Sequence, residues 1–379
     1  MKLNFFKPKI VNTLAPFNKG GNRIVSRTPA KFSSSQAPYG TRRAERLLIE
    51  REFGNKRTDV RLFYDSDDRL IGQKRENYQG DTLLDYIESR YTVRKKSAWD
   101  KYIISLSDVQ SITYAPNHSI ISGIRHKVDI VKENGIETPF INIMKYHSTK
   151  NSDNTFTENF SISNEQHQIK TDSVRSESGD LLEITTTASE NIPEEVANDE
   201  YLVLRGMPDE IAIKSLFRIF GKKERLENPD DIQLFYIKGD NINYEQGVSL
   251  QDQNKLGVGI LPVLGYNINT TSHEIRHFRQ YELKNKLKKQ LWNKFFNKKE
   301  FNPRELKLAL YFFKCRLQEC PFPVTSLTRR WYMASGIEKD AFRIGERYEA
   351  DFQRRTDKLK ELFPMVTRHN MGLEPTLPN

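Results

Sequence analysis

Long apolar runs are missing from this 379-residue sequence. No stretch approaches the ~20 apolar residues that cross a bilayer as a helix, so no membrane span is expected. Cysteine is scarce. Cys315 and Cys320 are the only two, and they fall in one expected helix without facing each other. They give neither a disulfide framework nor a Cys-type zinc site, and a reducing compartment such as the cytoplasm is favoured. A Gly-rich phosphate loop and a dinucleotide fingerprint are both absent, which removes the common nucleotide-binding classes. The N-terminus lacks the compact apolar core of a secretory signal. It also lacks acid: residues 1–44 hold nine Lys/Arg and no Asp or Glu. That composition reads as a basic, disordered arm. It resembles an organellar transit peptide, and it suits an acidic partner or nucleic acid equally well.

What is present is charge. Charged residues make up 29% of the chain and apolar ones 37%, with a net charge of +10. A modest core and acidic partners fit this balance. The length predicts two domains. Residues 45–190 read as a β-hairpin-rich domain. Residues 45–60 look like a short charged helix and 81–91 like another. Three segments, 60–78, 126–146 and 166–187, each place a polar turn between strand-like runs, around Asp65-Ser66-Asp67-Asp68, Glu133-Asn134-Gly135 and Ser178-Gly179-Asp180. Residues 148–160 read as loop. An acidic linker at 188–199 separates this part from residues 200–365. There, 201–205, 232–238 and 256–264 read as strands, with Pro262 marking the last as an edge. Helices are expected at 208–221, 272–298, 303–319 and 326–363, followed by a tail at 366–379.

The chemistry is concentrated in His273-Glu274-Ile275-Arg276-His277. On a helix, residues four apart share a face, so both imidazoles can reach one Zn²⁺, with Glu274 beside them to activate a metal-bound water. A hydrolytic zinc site needs a third protein ligand. Glu338 is the best candidate. It lies at the margin of an apolar stripe formed by Ile337, Ala341, Ile344, Tyr348 and Phe352, and the small Ala341 and Gly345 let a neighbouring helix come close. Asp340 and Glu346 are its rivals, and Asp340 can instead support a ligand histidine from behind. Tyr281, Tyr332 and Tyr348 are all open as oxyanion stabilisers. A plainer explanation exists for both glutamates. Thr271-Ser272-His273-Glu274 and Ser335-Gly336-Ile337-Glu338 each fit a helix capping box, although capping gives no reason for two histidines on one face. The other histidines, His118, His126, His147, His167 and His369, are scattered singly.

A strand, a helix bearing His-Glu-x-x-His and a later helix bearing Glu followed by Ala resemble the zincin metallopeptidases, in particular the gluzincins. The resemblance covers about residues 200–365. It implies His273, His277 and Glu338 as zinc ligands, Glu274 as general base, and an extended peptide or protein substrate paired along strand 256–264. The sequence departs from the family where many gluzincins carry an Asp four residues after the ligand Glu. Phe342 stands there instead. The expectation is therefore an α+β chain: a hairpin-rich N-terminal β domain followed by a mainly helical, zincin-like metallopeptidase domain with a small sheet. Its function would be zinc-dependent peptide-bond hydrolysis. The alternative is a non-catalytic binding or structural protein, an effector or particle-associated component, that retains the zincin fold.

Overall fold

The computed structural model describes residues 22–33, 37–38, 40–51, 55–98, 102–133, 140–237, 247–260, 264–297 and 336–364, with single residues at 303, 307 and 310. Sheet dominates these residues, and this corrects the expected fold class. Fourteen strands stand against four α-helices, so the molecule, though partly α+β, is not a hairpin-rich β domain followed by a mainly helical one. Eleven of the strands form one antiparallel sheet in sequential order: β1 (Asn22–Pro29), β2 (Arg43–Arg51), β3 (Lys56–Tyr64), β4 (Leu70–Gln79), β5 (Thr82–Ala98), β6 (Tyr102–Tyr114), β7 (Ile120–Glu133), β8 (Phe140–Lys150), β9 (Phe156–Ser163), β10 (Gln168–Arg175) and β11 (Leu181–Ala188).

Several local expectations change with it. The charged segment 45–60 is the β2–β3 pair and not a helix, and 81–91 lies within β5. The polar stretch 148–160 is the β8–β9 hairpin. Part of the expected basic arm is β1, which pairs with β2. The turns explain why so polar a chain forms this sheet. Asp65, Ala115, Asn151 and Ser176 each donate a backbone N–H to the carbonyl four residues on. The residue before that carbonyl is left-handed every time: Asp68, His118, Asn154 and Gly179 have φ of 57°, 66°, 65° and 100°. Asp, Asn and Gly tolerate this conformation best, which is why polar turns reverse the chain so tightly.

The remaining strands form a second sheet, β12 (Gln233–Ile237), β13 (Gly247–Leu250) and β14 (Lys255–Gly259), in the order β12-β14-β13. β14 runs parallel to β12 and antiparallel to β13. The strand expected at the edge is therefore the central one. Pro262 lies beyond its end and outside the described residues, so it says nothing about pairing within 255–259. A peptide cannot add to β14 while both its edges are taken.

The α-helices are α1 (Glu194–Ala197), α2 (Asp209–Lys223), α3 (Leu264–Asn297) and α4 (Gly336–Leu362). Residues 201–205 form no strand, and Val203–Arg205 is a single 3-10 turn. The expected linker carries α1, with Ile192 and Val196 buried. One hydrophobic core joins both parts. It runs from Tyr86, Tyr114, Tyr146, Phe160 and Ile162 on the large sheet to Phe220, Ile268, Ile275, Phe278 and Phe352 on the helices. Polar ties reinforce it. Arg90 donates to Glu210 at 2.9 Å, Gln110 to Asp209 at 2.9 Å, and Arg125 to the Met207 carbonyl at 2.8 Å. Asp209 and Glu210 open α2, where acids complement the helix dipole as well. At the far end of α4, Asn164 Nδ2 donates to the Leu362 carbonyl at 2.8 Å. Among the described residues no helix is long and apolar enough to cross a membrane. Cys315, Cys320, Tyr332, His369 and the tail lie outside them.

Candidate metal centre

α3 starts at Leu264, so the motif sits in the third turn of a long helix and not at its beginning. The capping-box explanation fails for Glu274, because Thr271 is interior and fully buried. Ser272 bonds back to the Ile268 carbonyl at 2.8 Å, as an interior helical serine does. α4 crosses α3 closely here. A Cβ on Gly345 would lie 3.0 Å from the Asn269 backbone oxygen, and Ala341 is fully buried. Small residues at this crossing bring Glu338 over the two histidines.

The result is a compact cluster. His273, His277 and Glu338 are all buried, and each offers a ligand atom within 4.8 Å of the others. The imidazole Nε2 atoms are 3.1 Å apart. The Glu338 carboxylate spans them, with Oε2 3.3 Å from His273 Nε2 and Oε1 3.3 Å from His277 Nε2. This group can hold a metal ion. The separations suit one. Donors held about 2.0–2.1 Å from a tetrahedral ion lie about 3.3 Å from each other. Glu274 Oε1 stands 3.9 Å from His273 Nε2, beside the cluster.

Two departures from sequence reading concern how the imidazoles are held. Phe342 packs its ring on His273, centroids 4.4 Å apart, while His273 Nδ1 is buried without a hydrogen-bond partner. His277 Nδ1 meets Gln280 Oε1 at 3.0 Å. Sequence reasoning misses Gln280, although its place three residues after His277 puts it on the same helix face. Asp340 reaches the site through this glutamine, accepting from Gln280 Nε2 at 3.0 Å. It also accepts from Arg276 Nε at 2.7 Å and Arg343 Nη2 at 2.9 Å. Glu346 is exposed and takes no part.

Sequence reasoning misses β13 as well. Gly247 lies so close to Glu274 that a Cβ there would be 2.6 Å from the Glu274 Cγ. Ser249, two residues on, lies where its hydroxyl favours the charged form of the Glu274 carboxylate. Glu274 has a raised pKa because burial penalises its charge, opposed by both imidazoles and by Ser249. Burial also opposes charge on His277, but the hydrogen bond to Glu338 and the nearby carboxylate charges outweigh it and lift its pKa to about 9. Of the three tyrosines expected to stabilise an oxyanion, Tyr332 lies outside the described residues and the other two are engaged elsewhere. Tyr348 donates to Glu224 at 2.9 Å and Tyr281 to Asp252 at 2.8 Å.

No protein-family model, curated protein or solved structure matches the chain.

Proposed function

We propose that the chain is a zinc-dependent hydrolase of peptide bonds, similar in its site to the Glu-liganded zincins. The observation that carries this reading is the convergence of His273, His277 and Glu338 from two helices, with a second buried carboxylate, Glu274, alongside. Two imidazoles and a carboxylate are a donor set that Zn²⁺ takes in hydrolases, with a position left for water or substrate. These residues would hold Zn²⁺, which would supply Lewis acidity to acidify water and polarise a carbonyl. Glu274 takes the proton from the attacking water and later delivers it to the leaving amine. β13 is a sheet edge antiparallel to β14 and touches Glu274. An extended substrate pairs with β13, in place of the strand expected from sequence.

Elemental analysis tests the metal. Folded wild-type protein is expected to carry about one zinc, lost in His273→Ala and in Glu338→Ala. Glu274→Gln should keep the metal and lose at least ~10²-fold in cleavage of a peptide library, the usual scale of a general base. Folded protein without zinc at neutral pH overturns the reading. Zinc without chelator-sensitive cleavage leaves a zinc-binding protein that is not a peptidase.

A further inference from the structure

Gln280 sits where the two ligand-bearing helices meet, and its hydrogen bonds leave it one orientation. Its Nε2 is 3.1 Å from the Ile337 carbonyl and 3.0 Å from Asp340 Oδ2. A carbonyl and a carboxylate only accept, so the amide must present its NH₂ to them. The amide oxygen is then turned to His277 Nδ1, 3.0 Å away. An oxygen facing Nδ1 requires a proton on Nδ1. In neutral imidazole the lone pair then lies on Nε2, the atom 3.3 Å from Glu338 Oε1. Asp340 anchors the chain of bonds. Its side chain is fully buried, and Arg276 and Arg343 both donate to it.

We propose that Gln280 is the positioning residue of this centre. Through one amide it selects the metal-binding nitrogen of His277. Through the other end of that amide it fixes the register of Glu338, whose preceding carbonyl it holds. This rests on the metal reading above, but the hydrogen-bond logic applies to the metal-free protein too. The role suits an amide and excludes a carboxylate. A carboxylate at position 280 would face the Ile337 carbonyl and Asp340 with no proton to offer.

The test is a charge-swap cycle read by metal affinity, with zinc competed against a chromophoric chelator at neutral pH. Gln280→Glu is expected to weaken zinc by about 100-fold, and Asp340→Asn by about 10-fold, the scale of lost supporting contacts. The double variant restores a donor and an acceptor: the amide now at position 340 donates to the carboxylate now at position 280. It should recover at least half of the Gln280→Glu loss on a logarithmic scale. A purely structural role predicts no such rescue. Thermal unfolding of the metal-free variants shows whether each one folds. If Gln280→Glu does not, Gln280→Met carries the test, with about 10–100-fold weaker binding expected. Unchanged affinity in Gln280→Glu or Gln280→Met, or a double variant no better than Gln280→Glu, overturns the proposal. Wild-type protein that binds no zinc overturns the metal reading instead. The proposal is then judged by proton NMR of the metal-free chain: a slowly exchanging His277 Nδ1 proton, lost in Gln280→Met, upholds it, and its absence from wild type sinks it.

Discussion

Compare how the large sheet and the helical site each bury a glutamate. Glu158 on β9 is 1% exposed and meets a guanidinium: Arg175 Nε lies 3.0 Å from it, with Tyr146 and Ser173 donating at 2.8 and 2.9 Å. Its charge is matched within the sheet by a permanent cation. Glu338 is buried too, but what it faces at the cluster is a pair of imidazoles, groups that carry a proton or a metal and exchange one for the other. Glu274 shares that setting. The sheet has spent its buried charges on holding itself and α2 in place. At the site, His273, His277 and Glu338 form a group that could hold a metal ion. The difference teaches which buried carboxylates are structural, and it depends on the partner more than on depth.

The strongest challenge to this division is to remove the sheet. A fragment starting at residue 195 loses Tyr86, Tyr114, Tyr146, Phe160 and Ile162 from the shared core and the arginine partners of Glu210 and Asp209. It should show no cooperative unfolding by circular dichroism. A fragment that folds and binds zinc would make the site independent of the sheet. Next in size is Arg175→Met, which leaves Glu158 buried without its cation and should cost about 3–5 kcal/mol in a denaturant melt, with zinc affinity unchanged. A loss below about 1 kcal/mol would mean that the pair is not matched as described.

The site should respond to pH where the sheet does not. The folded, metal-free protein holds a proton on His277 up to about pH 9, against an ordinary histidine value of about 6.5. That proton stabilises the metal-free fold fully below about pH 6.5, and the contribution fades as pH rises through about 9. Zinc must displace it. Apparent zinc affinity should climb about tenfold per pH unit and level off near pH 9, measured by chelator competition. A flat profile across neutral pH would show that His277 carries no such proton. The smallest effect belongs to Glu274→Gln. Because burial raises the Glu274 pKa, its charge weakens the metal-free fold at neutral pH, and the neutral amide should raise the unfolding midpoint slightly. A lowered midpoint would place Glu274 with the matched carboxylates of the sheet.

The candidate cluster is legible in the sequence because a helix face is a local property. His273, Glu274 and His277 need only the 3.6-residue period, and Glu338 was visible beside an apolar stripe with small neighbours. The supports were less legible, since Gln280 and Asp340 act together only once α3 and α4 have crossed. The large sheet was harder still. In β5, Leu83, Leu84 and Ile87 mimic a helical stripe, and the half-buried Asp85, Glu88 and Arg90 alternate onto both faces of a 17-residue strand. In β2 the run Leu47-Leu48-Ile49 between charges gives no period at all. Residues 201–205 show the reverse failure. Tyr201, Leu202, Val203 and Leu204 are all buried, so a continuous apolar run, suited to a buried strand, fits a tight turn sunk in the core just as well.

The strict neighbour-to-neighbour order of the large sheet bears on how such a chain is made and how it changes. Each strand from β2 to β10 bonds only to the strands before and after it in sequence. Pairing can therefore follow synthesis, hairpin by hairpin, with short loops to close from β2 onward and no late strand to wait for. Strand number also becomes adjustable. β1 to β4 carry their own small apolar clusters, around Phe63 and around Leu47, Val60 and Leu62, apart from the core shared with the helices. Adding or deleting one whole hairpin there preserves every register downstream. The length of the sheet can drift over generations while β5 onward, bound to α2, keeps the two histidine- and glutamate-bearing helices where they are.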